Sequence, residues 1–259
     1  MSVRTADEYL ASIQDDRTVY VNGDTVSDVT EHPVTRISAQ HASGAWDLQN
    51  DFPDKFTFED EAGTHSAYFK VPRDTDGLLD RRDLIEESTR QHMGVFNIIQ
   101  AVGTDILLTW LRVTPEVDAA HGTDYGDRVV NYYKHSRNQN LAMACAMTDP
   151  KGDRSRQPHE QPDPDQYLRV VGETNDGVVI RGAKMHTTLG PVAEDLLILP
   201  TVRMGSEAED YAFAGAVPAD ANGVSMICRP QSSADTDPRD APISSRHDEI
   251  ESLTIFDDV

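Results

Sequence analysis

The hydrophobic period changes near Thr148, so a fold built from a single kind of secondary structure cannot accommodate this chain. Upstream, Phe96, Ile99, Val102, Ile106 and Trp110 recur close to the helical period, in a stretch whose middle is nearly uncharged. Leu78 to Leu111 therefore reads as one long helix or two in series, buried on most sides. Downstream, YLRVVGE, VVIRGAK, DLLILPT, YAFAGAV, VSMIC and LTIF are short, apolar or alternating segments. Turn residues separate them, including a TNDG turn after the first. The expected architecture is a mainly helical part over residues 1–145 and a β-barrel or sandwich over residues 146–259.

Smaller signals fill in the first part. Thr5 and Glu8 have capping-box spacing, with Tyr9, Leu10 and Ile13 as an apolar stripe, so a helix begins near Ala6. Asn22-Gly23 between VYV and a second short strand has the composition of a tight hairpin. Pro33 suits the start of a helix running through Trp46 towards Asn50. A second hairpin is expected with Phe56 and Phe58 on one arm, Gly63 near the turn, and Tyr68 to Val71 on the other. After Asp74 the pattern is helical, and a further helix over Tyr125 to Arg137 carries Val129, Tyr132 and Tyr133 towards the core.

Charge narrows the function. Asp and Glu number 45 against 23 Lys and Arg, for a formal net charge of −22. A chain so acidic lacks the basic face that phosphate-driven nucleic-acid binding requires. The acidity is dispersed and lysine is scarce, as on the surface of a halophile's cytoplasmic protein; a merely acidic mesophilic protein is the rival reading. Hydrophobic residues at 38% argue for a folded chain. No apolar run approaches the roughly 20 residues of a membrane span, and MSVRTADEYL has acidic residues where a signal peptide is apolar. The expectation is a soluble, cytoplasmic protein in which Cys145 and Cys228, without ligand spacing, are reduced and buried.

Two segments carry hydrogen-bonding chemistry. MTDPKGDR, from Met147 to Arg154, opens the Pro- and Asp-rich stretch TDPKGDRSRQPHEQPDPDQ. Such a loop offers backbone N–H groups, a hydroxyl and two cations to an anion, and carboxylates to a ribose or ring nitrogen. It lacks the spacing of a Walker loop, and a solvated turn with internal salt bridges has the same composition. RGAKMHTTLG ends a strand with His186, Thr187 and Thr188, of which strict alternation turns two towards one ligand. Glu251, before the last strand, serves as a general base if it is desolvated. The end, ESLTIFDDV, stops inside or just after a strand; either a β-domain finishes there, or the strand's partners lie in residues the chain lacks.

MTDPKGDRS, QPDPDQYLRVV, DGVVIRGAKMHTT, LLILPT and ESLTIFDDV, with RTADEYLASI, TVYVNGD and EHPV near the start, resemble in order the flavoprotein family of 4-hydroxyphenylacetate 3-monooxygenase and 4-hydroxybutyryl-CoA dehydratase. The resemblance implies an α+β, acyl-CoA-dehydrogenase-like fold: a helical N-terminal domain, a middle β-barrel and a C-terminal helical bundle that builds tetramers. The bundle is absent from this sequence, which implies an N-terminal half from a split gene, a frameshifted gene or a stand-alone remnant. The implied cofactor is FAD. Met147, Thr148, Asp149, Pro150, Lys151, Gly152, Asp153 and Arg154 match the family's FAD loop, with Gln161 in its continuation. His186, Thr187 and Thr188 match a segment contacting the isoalloxazine, Thr201 another flavin contact, and Glu251 a glutamate implicated in catalysis in the dehydratase branch.

The implied chemistry is hydroxylation of a phenol using externally supplied reduced flavin, or dehydration and isomerisation of a hydroxyacyl-CoA. YGDRVVNYYK, HGTDY and VGTD read closer to the dehydratase. That branch's cluster thiolates, however, fall at Asn97 and Ala101, neither of which ligates iron. The hydroxylase's phenol-holding Arg and Tyr fall at Val102 and Ile106. The implied partners are a small-molecule phenol or acyl-CoA, a polypeptide carrying the missing bundle, and further copies of the complete protein. A non-catalytic subunit or remnant is the remaining reading.

Overall fold

The structure is a computed structural model that describes residues 3–174, 177–229 and 236–259. Helix α1 (Ala6–Ser12) starts at the expected capping box: the Thr5 hydroxyl accepts from Glu8 N, and the Glu8 carboxylate accepts from Thr5 N at 2.8 Å. Strands β1 (Thr18–Val21) and β2 (Asp24–Val26) follow as the expected hairpin, with Asn22 and Gly23 at positive φ. Helix α2 (Thr35–Asp51) and a single helical turn, α3 (Pro53–Phe56), lead into a hairpin of β3 (Thr57–Asp60) and β4 (Gly63–Ser66).

That second hairpin is shorter than expected. Phe56 belongs to α3, and the second arm stops at Ser66. The chain then turns through 3-10 geometry at Ala67–Phe69, because burial of Tyr68 and Phe69 in separate apolar clusters outweighs their strand preference. The long helical stretch is two helices, α4 (Thr75–Gln91) and α5 (Ile98–His121). Met93 and Gly94 at positive φ break it, and the Asn97 side chain accepts from Ile99 N to start α5. Only the first part of α5 is buried, from Ile99 to Leu107; Val113 is exposed. Helix α6 (Tyr125–Gln139) turns half-buried Val129, Tyr132 and Tyr133 towards Phe69 and Leu107, as expected.

The strands that follow are β5 (Met143–Ala146), β6 (Arg169–Thr174), β7 (Gly177–Thr188), β8 (Asp195–Ile198), β9 (Gly215–Pro218), β10 (Val224–Cys228) and β11 (Glu251–Phe256). Strand β5 was not foreseen. The TNDG turn falls partly outside the described residues, at 175 and 176. One open sheet has the order β2-β1-β10-β11-β7-β6, a second the order β5-β8-β9. Among the described residues these sheets do not close into the expected barrel. Strand β1 pairs in parallel with β10, so the first hairpin extends a sheet made mainly from the second half of the chain.

The helices and the larger sheet share one core. Tyr9 and Trp46 stack with ring centroids 4.0 Å apart, in the same cluster as Val19, Met226 and Phe256. The Tyr9 hydroxyl donates to Val192 O at 2.6 Å, and the Arg4 guanidinium forks onto Glu194 at 2.8 and 2.9 Å. Buried Arg17 donates to Pro191 O and Ala193 O.

A closed ring of three buried amides holds α2, α5 and the entry to β5. Gln49 Nε2 donates to Gln100 Oε1 at 2.7 Å, Gln100 Nε2 to Asn140 Oδ1 at 2.7 Å, and Asn140 Nδ2 to Gln49 Oε1 at 2.6 Å. Asn140 is also the left-handed residue that ends α6. Replacing Gln100 by leucine leaves an amide donor and an acceptor buried without partners. Gln100→Leu is therefore expected to cost about 2–4 kcal/mol, read as a lower urea midpoint at unchanged slope in concentrated KCl.

Candidate active site

Strands β5 and β8 run parallel, so the segments that leave them, Met147–Asp149 and Leu199–Thr201, emerge side by side. Between them stands Lys184, buried on β7. Its ammonium donates to Met147 O at 3.1 Å, Leu199 O at 2.9 Å and Asp149 Oδ1 at 2.6 Å, so all three N–H groups have acceptors. Burial pulls the Lys184 pKa below the usual lysine range, and the Asp149 carboxylate opposes that shift. The Thr201 hydroxyl donates to the same Met147 carbonyl, and Met185 N donates to Thr148 O at 2.7 Å. Met147, Thr148, Asp149 and Thr201 thus form one framework around a lysine that sequence reasoning passed over.

Beyond Asp149 the loop from Pro150 to Gln166 is irregular, as expected, and its form is set by buried Gln161. Gln161 accepts from Asp153 N at 3.0 Å and donates to Asp153 O at 2.9 Å. Gly152 is packed so closely that a Cβ there would lie 2.5 Å from Gln161 Oε1 and 2.7 Å from Gln166 Nε2. The loop carboxylates are used internally: Asp149 on Lys184, and Asp153 on Ser155 N, Ser155 Oγ and the Arg156 guanidinium. The Ser155 hydroxyl bond leads in holding the Asp153 pKa below the usual carboxylate range. Lys151 and Arg154 are exposed and have no ion pair among the described residues. Lys151 and Arg154 are therefore the loop's unpaired cations, beside an Asp153 carboxylate that is itself exposed. An open cleft of about 490 Å³, with His159 and Arg203 on its walls, lies beside the loop.

His186, Thr187 and Thr188 run exposed, buried and half-buried, and the strand is irregular where it enters them. Ser252 pairs with Thr187 but Thr254 with Lys184, so Met185 and His186 together oppose Leu253. This bulge, with His186 at φ 57°, keeps both Lys184 and Thr187 inside and turns His186 out. The Thr187 hydroxyl accepts from Thr254 Oγ1 at 2.9 Å within the sheet, whereas Thr188 is half-buried. His186 Nδ1 lies 3.3 Å from Glu251 Oε2, and Arg229 Nη1 lies 3.6 Å from the same oxygen. Glu251 is half-buried between two basic side chains, in place of the apolar pocket that the general-base reading requires.

Asn97 and Ala101 lie elsewhere, where α2, α4 and α5 meet. The Asn97 amide donates to His41 O at 2.8 Å, and Ala101 is buried among Leu48, Tyr68 and Leu84. Three imidazoles, His41, His92 and His247, pack edge to face beside Asn97 with ring centroids 5.1 to 5.7 Å apart. Among the described residues no group of three or more His, Cys, Asp or Glu side chains is arranged to hold a metal ion. Cys145 borders the Lys184 framework, and burial raises its thiol pKa; the buried Cys228 thiol is pushed up to about 12. No described helix is long and apolar enough to cross a membrane.

Comparison with known proteins gives these residues a setting. The family model described as 4-hydroxyphenylacetate 3-hydroxylase N terminal matches residues 5–259. The 4-hydroxyphenylacetate 3-monooxygenase oxygenase component of Thermus thermophilus is 32% identical over 99% of this chain and 53% of its own length. The 4-hydroxybutyryl-CoA dehydratase/vinylacetyl-CoA-Δ-isomerase of Clostridium aminobutyricum is 32% identical over 88% of this chain and 47% of its own length. Among solved structures, an oxygen-tolerant archaeal 4-hydroxybutyryl-CoA dehydratase from N. maritimus superposes with a TM-score of 0.92 at 30% identity, covering 99% of this chain and 52% of that one. An oxygenase component of 4-hydroxyphenylacetate 3-monooxygenase complexed with FAD superposes at 0.88 and 32% identity, covering 99% and 53%. The chain spans about half the length of the relatives it matches.

Two stability effects follow from this geometry. Lys184→Met strands the Asp149 carboxylate in a buried site, an expected loss of about 3–5 kcal/mol, and Lys184→Met with Asp149→Leu recovers most of it in urea unfolding. His92 carries its proton on Nδ1, which donates to Ser88 O at 2.7 Å, and burial holds its pKa below the usual imidazole range. The unfolded chain therefore takes up this proton first, and stability falls as pH drops below about 6.5. The thermal midpoint of His92→Gln is expected to fall less than that of the unchanged chain over the same pH interval.

Proposed function

The chain belongs to the 4-hydroxyphenylacetate 3-hydroxylase N-terminal family, and from that membership we propose that it is the flavin-binding N-terminal part of an FAD-dependent aromatic hydroxylase. The observation that carries this reading is the loop from Met147 to Arg154, anchored by Lys184 and Gln161, with both its carboxylates engaged by neighbouring groups and Lys151 and Arg154 free of ion pairs among the described residues. Such a surface fits the diphosphate of a dinucleotide. Thr148, His186, Thr188 and Thr201 are the further residues we assign to the flavin, while Asp149, Gln161 and Thr187 act behind them by holding the framework. When bound, FAD supplies the oxygen-activating chemistry; the chain's residues bind it, orient it and limit water around it.

On this reading the substrate is a phenol, reduced flavin comes from a separate reductase, and a polypeptide carrying the C-terminal helical bundle completes an acyl-CoA-dehydrogenase-like oligomer. Residues 1–145 and 146–259 then correspond to the helical and β-barrel domains, and the two open sheets to the barrel's walls. The dispersed acidity suits a salt-rich cytoplasm.

Dehydration of a hydroxyacyl-CoA is the second reading, favoured by the N. maritimus superposition and by the His186–Glu251 pair. An iron–sulfur cluster does not fit the residues present. The positions that would supply thiolates are Asn97 and Ala101, Asn97 bonds the α2 backbone, and the two cysteines stand on β5 and β10, not on this helix. No step of the reaction is therefore assigned to such a cluster here.

Fluorescence titration of the full chain with FAD in concentrated KCl tests the leading proposal. Binding is expected, and Lys151→Ala with Arg154→Ala is expected to weaken it by roughly tenfold or more. Unchanged affinity in the double variant overturns the loop assignment. Co-expression with the product of a neighbouring reading frame tests the partner: flavin retained only in its presence identifies a split enzyme.

A further inference from the structure

The chain enters β11 against helix α2 and the end of β7: Ile250 N donates to Ser38 Oγ at 3.0 Å, and Leu189 N donates to Ile250 O at 2.7 Å. Just before this point His247 and Glu249 meet His41. Nδ1 of His41 lies 3.2 Å from Nδ1 of His247, a contact that requires a proton on one nitrogen and a lone pair on the other. His41 Nε2 is buried, has no hydrogen-bond partner among the described residues, and lies 3.7 Å from Glu249 Oε1, which also accepts from Ile98 N at 3.3 Å. A proton on His41 Nε2 faces that carboxylate, whereas a lone pair there would oppose it. His41 is therefore the Nε2–H tautomer, and His247 donates within the Nδ1 pair. His92, whose Nδ1–H goes to Ser88 O, turns the lone pair of Nε2 to the Asn97 amide nitrogen at 3.4 Å.

We propose that His41, His92 and His247 form a proton-operated latch, which holds the segment before β11 on α2 and α5 while it carries at most one charge and releases it when a second proton binds. One charge fits, because an imidazolium at His247 still donates to His41. Charging both rings sets two N–H groups face to face. Charging His92 sets an N–H against the Asn97 amide, and turning that amide over forfeits its bonds to His41 O and Ile99 N. The ring is also packed against α2, where a Cβ on Gly44 would lie 2.4 Å from Nε2. The charges around the cluster come from few elements: His41 from α2, His92 from the end of α4, and Arg246, His247, Asp248 and Glu249 from the segment itself, while α5 brings its uncharged Asn97. Burial leads in holding the His247 pKa below the usual imidazole range, with His41 and Arg246 adding to it. The latch is independent of the flavin reading.

The test uses the full chain in concentrated KCl. Two-bond proton–nitrogen spectra of the imidazoles at pH 8 read the tautomers without any substitution: protons on Nε2 of His41 and on Nδ1 of His92 and His247 are expected, and a proton on Nδ1 of His41 overturns the proposal. Amide exchange from Ser245 to Ile250, corrected for its intrinsic pH dependence, is then compared at pH 7.5 and 5.5. Each proton that the closed cluster refuses and the open one accepts favours opening by about tenfold over this interval, for an open-state imidazole pKa of about 6.5. Two refused protons make the expected loss of protection in the unchanged chain about a hundredfold. His247→Phe keeps a ring in place but removes one conflict, and is expected to lose only about tenfold. His247→Gln repeats the comparison, should phenylalanine disturb the packing. Glu249→Gln keeps an acceptor for Ile98 N and removes the carboxylate facing His41, so its loss is expected to be at least that of the unchanged chain. Equal losses in the unchanged chain and both His247 variants overturn the latch, since a packing role alone lowers protection alike at both pH values. Full protection at pH 5.5 with two of the three rings charged in the spectra overturns it as well.

Discussion

One ammonium group, that of Lys184, joins the two sheets. It leaves the large sheet from β7 and ends among the carbonyls that follow β5 and β8 in the small one. A neutral amine has only two N–H groups and could not serve three acceptors, so the junction requires the charged form in a place where burial disfavours it. Asp149 resolves that conflict from within the same loop. The residue that makes the lysine tenable is therefore also the one whose position the lysine fixes, and the start of the loop, the Met147 carbonyl and the Thr201 hydroxyl all take their places from that mutual constraint.

The same economy governs other cations. In a chain with 45 acidic and 23 basic residues, several arginines stand where acceptors from separate elements converge. Arg4 ties α1 to Glu194, Arg17 reaches the carbonyls of Pro191 and Ala193, and Arg81 serves Tyr68 O, Ala101 O and the Asp105 carboxylate. A planar guanidinium with five donors suits such junctions better than a lysine does. Much of the remaining carboxylate surface lacks this compensation, and its mutual repulsion is what concentrated salt relieves.

Much of this was legible in the residues. The capping box at Thr5, the Asn22-Gly23 hairpin and the change of period near Thr148 are local signals, and local signals survive into the fold. Strand β5, with sequence MACA, has too little bulk to announce itself; only its place beside β8 makes it a strand. The Met185–His186 bulge is set by the register against β11, 65 residues further on, so alternation read along β7 alone does not show that Lys184 and Thr187 share the inner side. Lys184 was hidden for a related reason. A lysine in a strand reads as a solvated edge residue until the carbonyls around it are known. The MTDPKGDR loop is legible in its composition, but which of its charges are already engaged depends on Lys184, Ser155 and Arg156.

The position of β11 affects how this chain is made. Glu251–Phe256 lies in the middle of the six-stranded sheet, hydrogen-bonded to β10 on one side and β7 on the other, yet in sequence it follows every other described strand of that sheet. While the ribosome is still adding residues before Glu251, the backbone edges of β7 and β10 that will receive it have no partner. The large sheet therefore completes only when this segment has emerged, and until then the nascent chain exposes two template edges to its neighbours. Emergence of this one segment closes both edges at once, and so removes both templates for pairing with another chain.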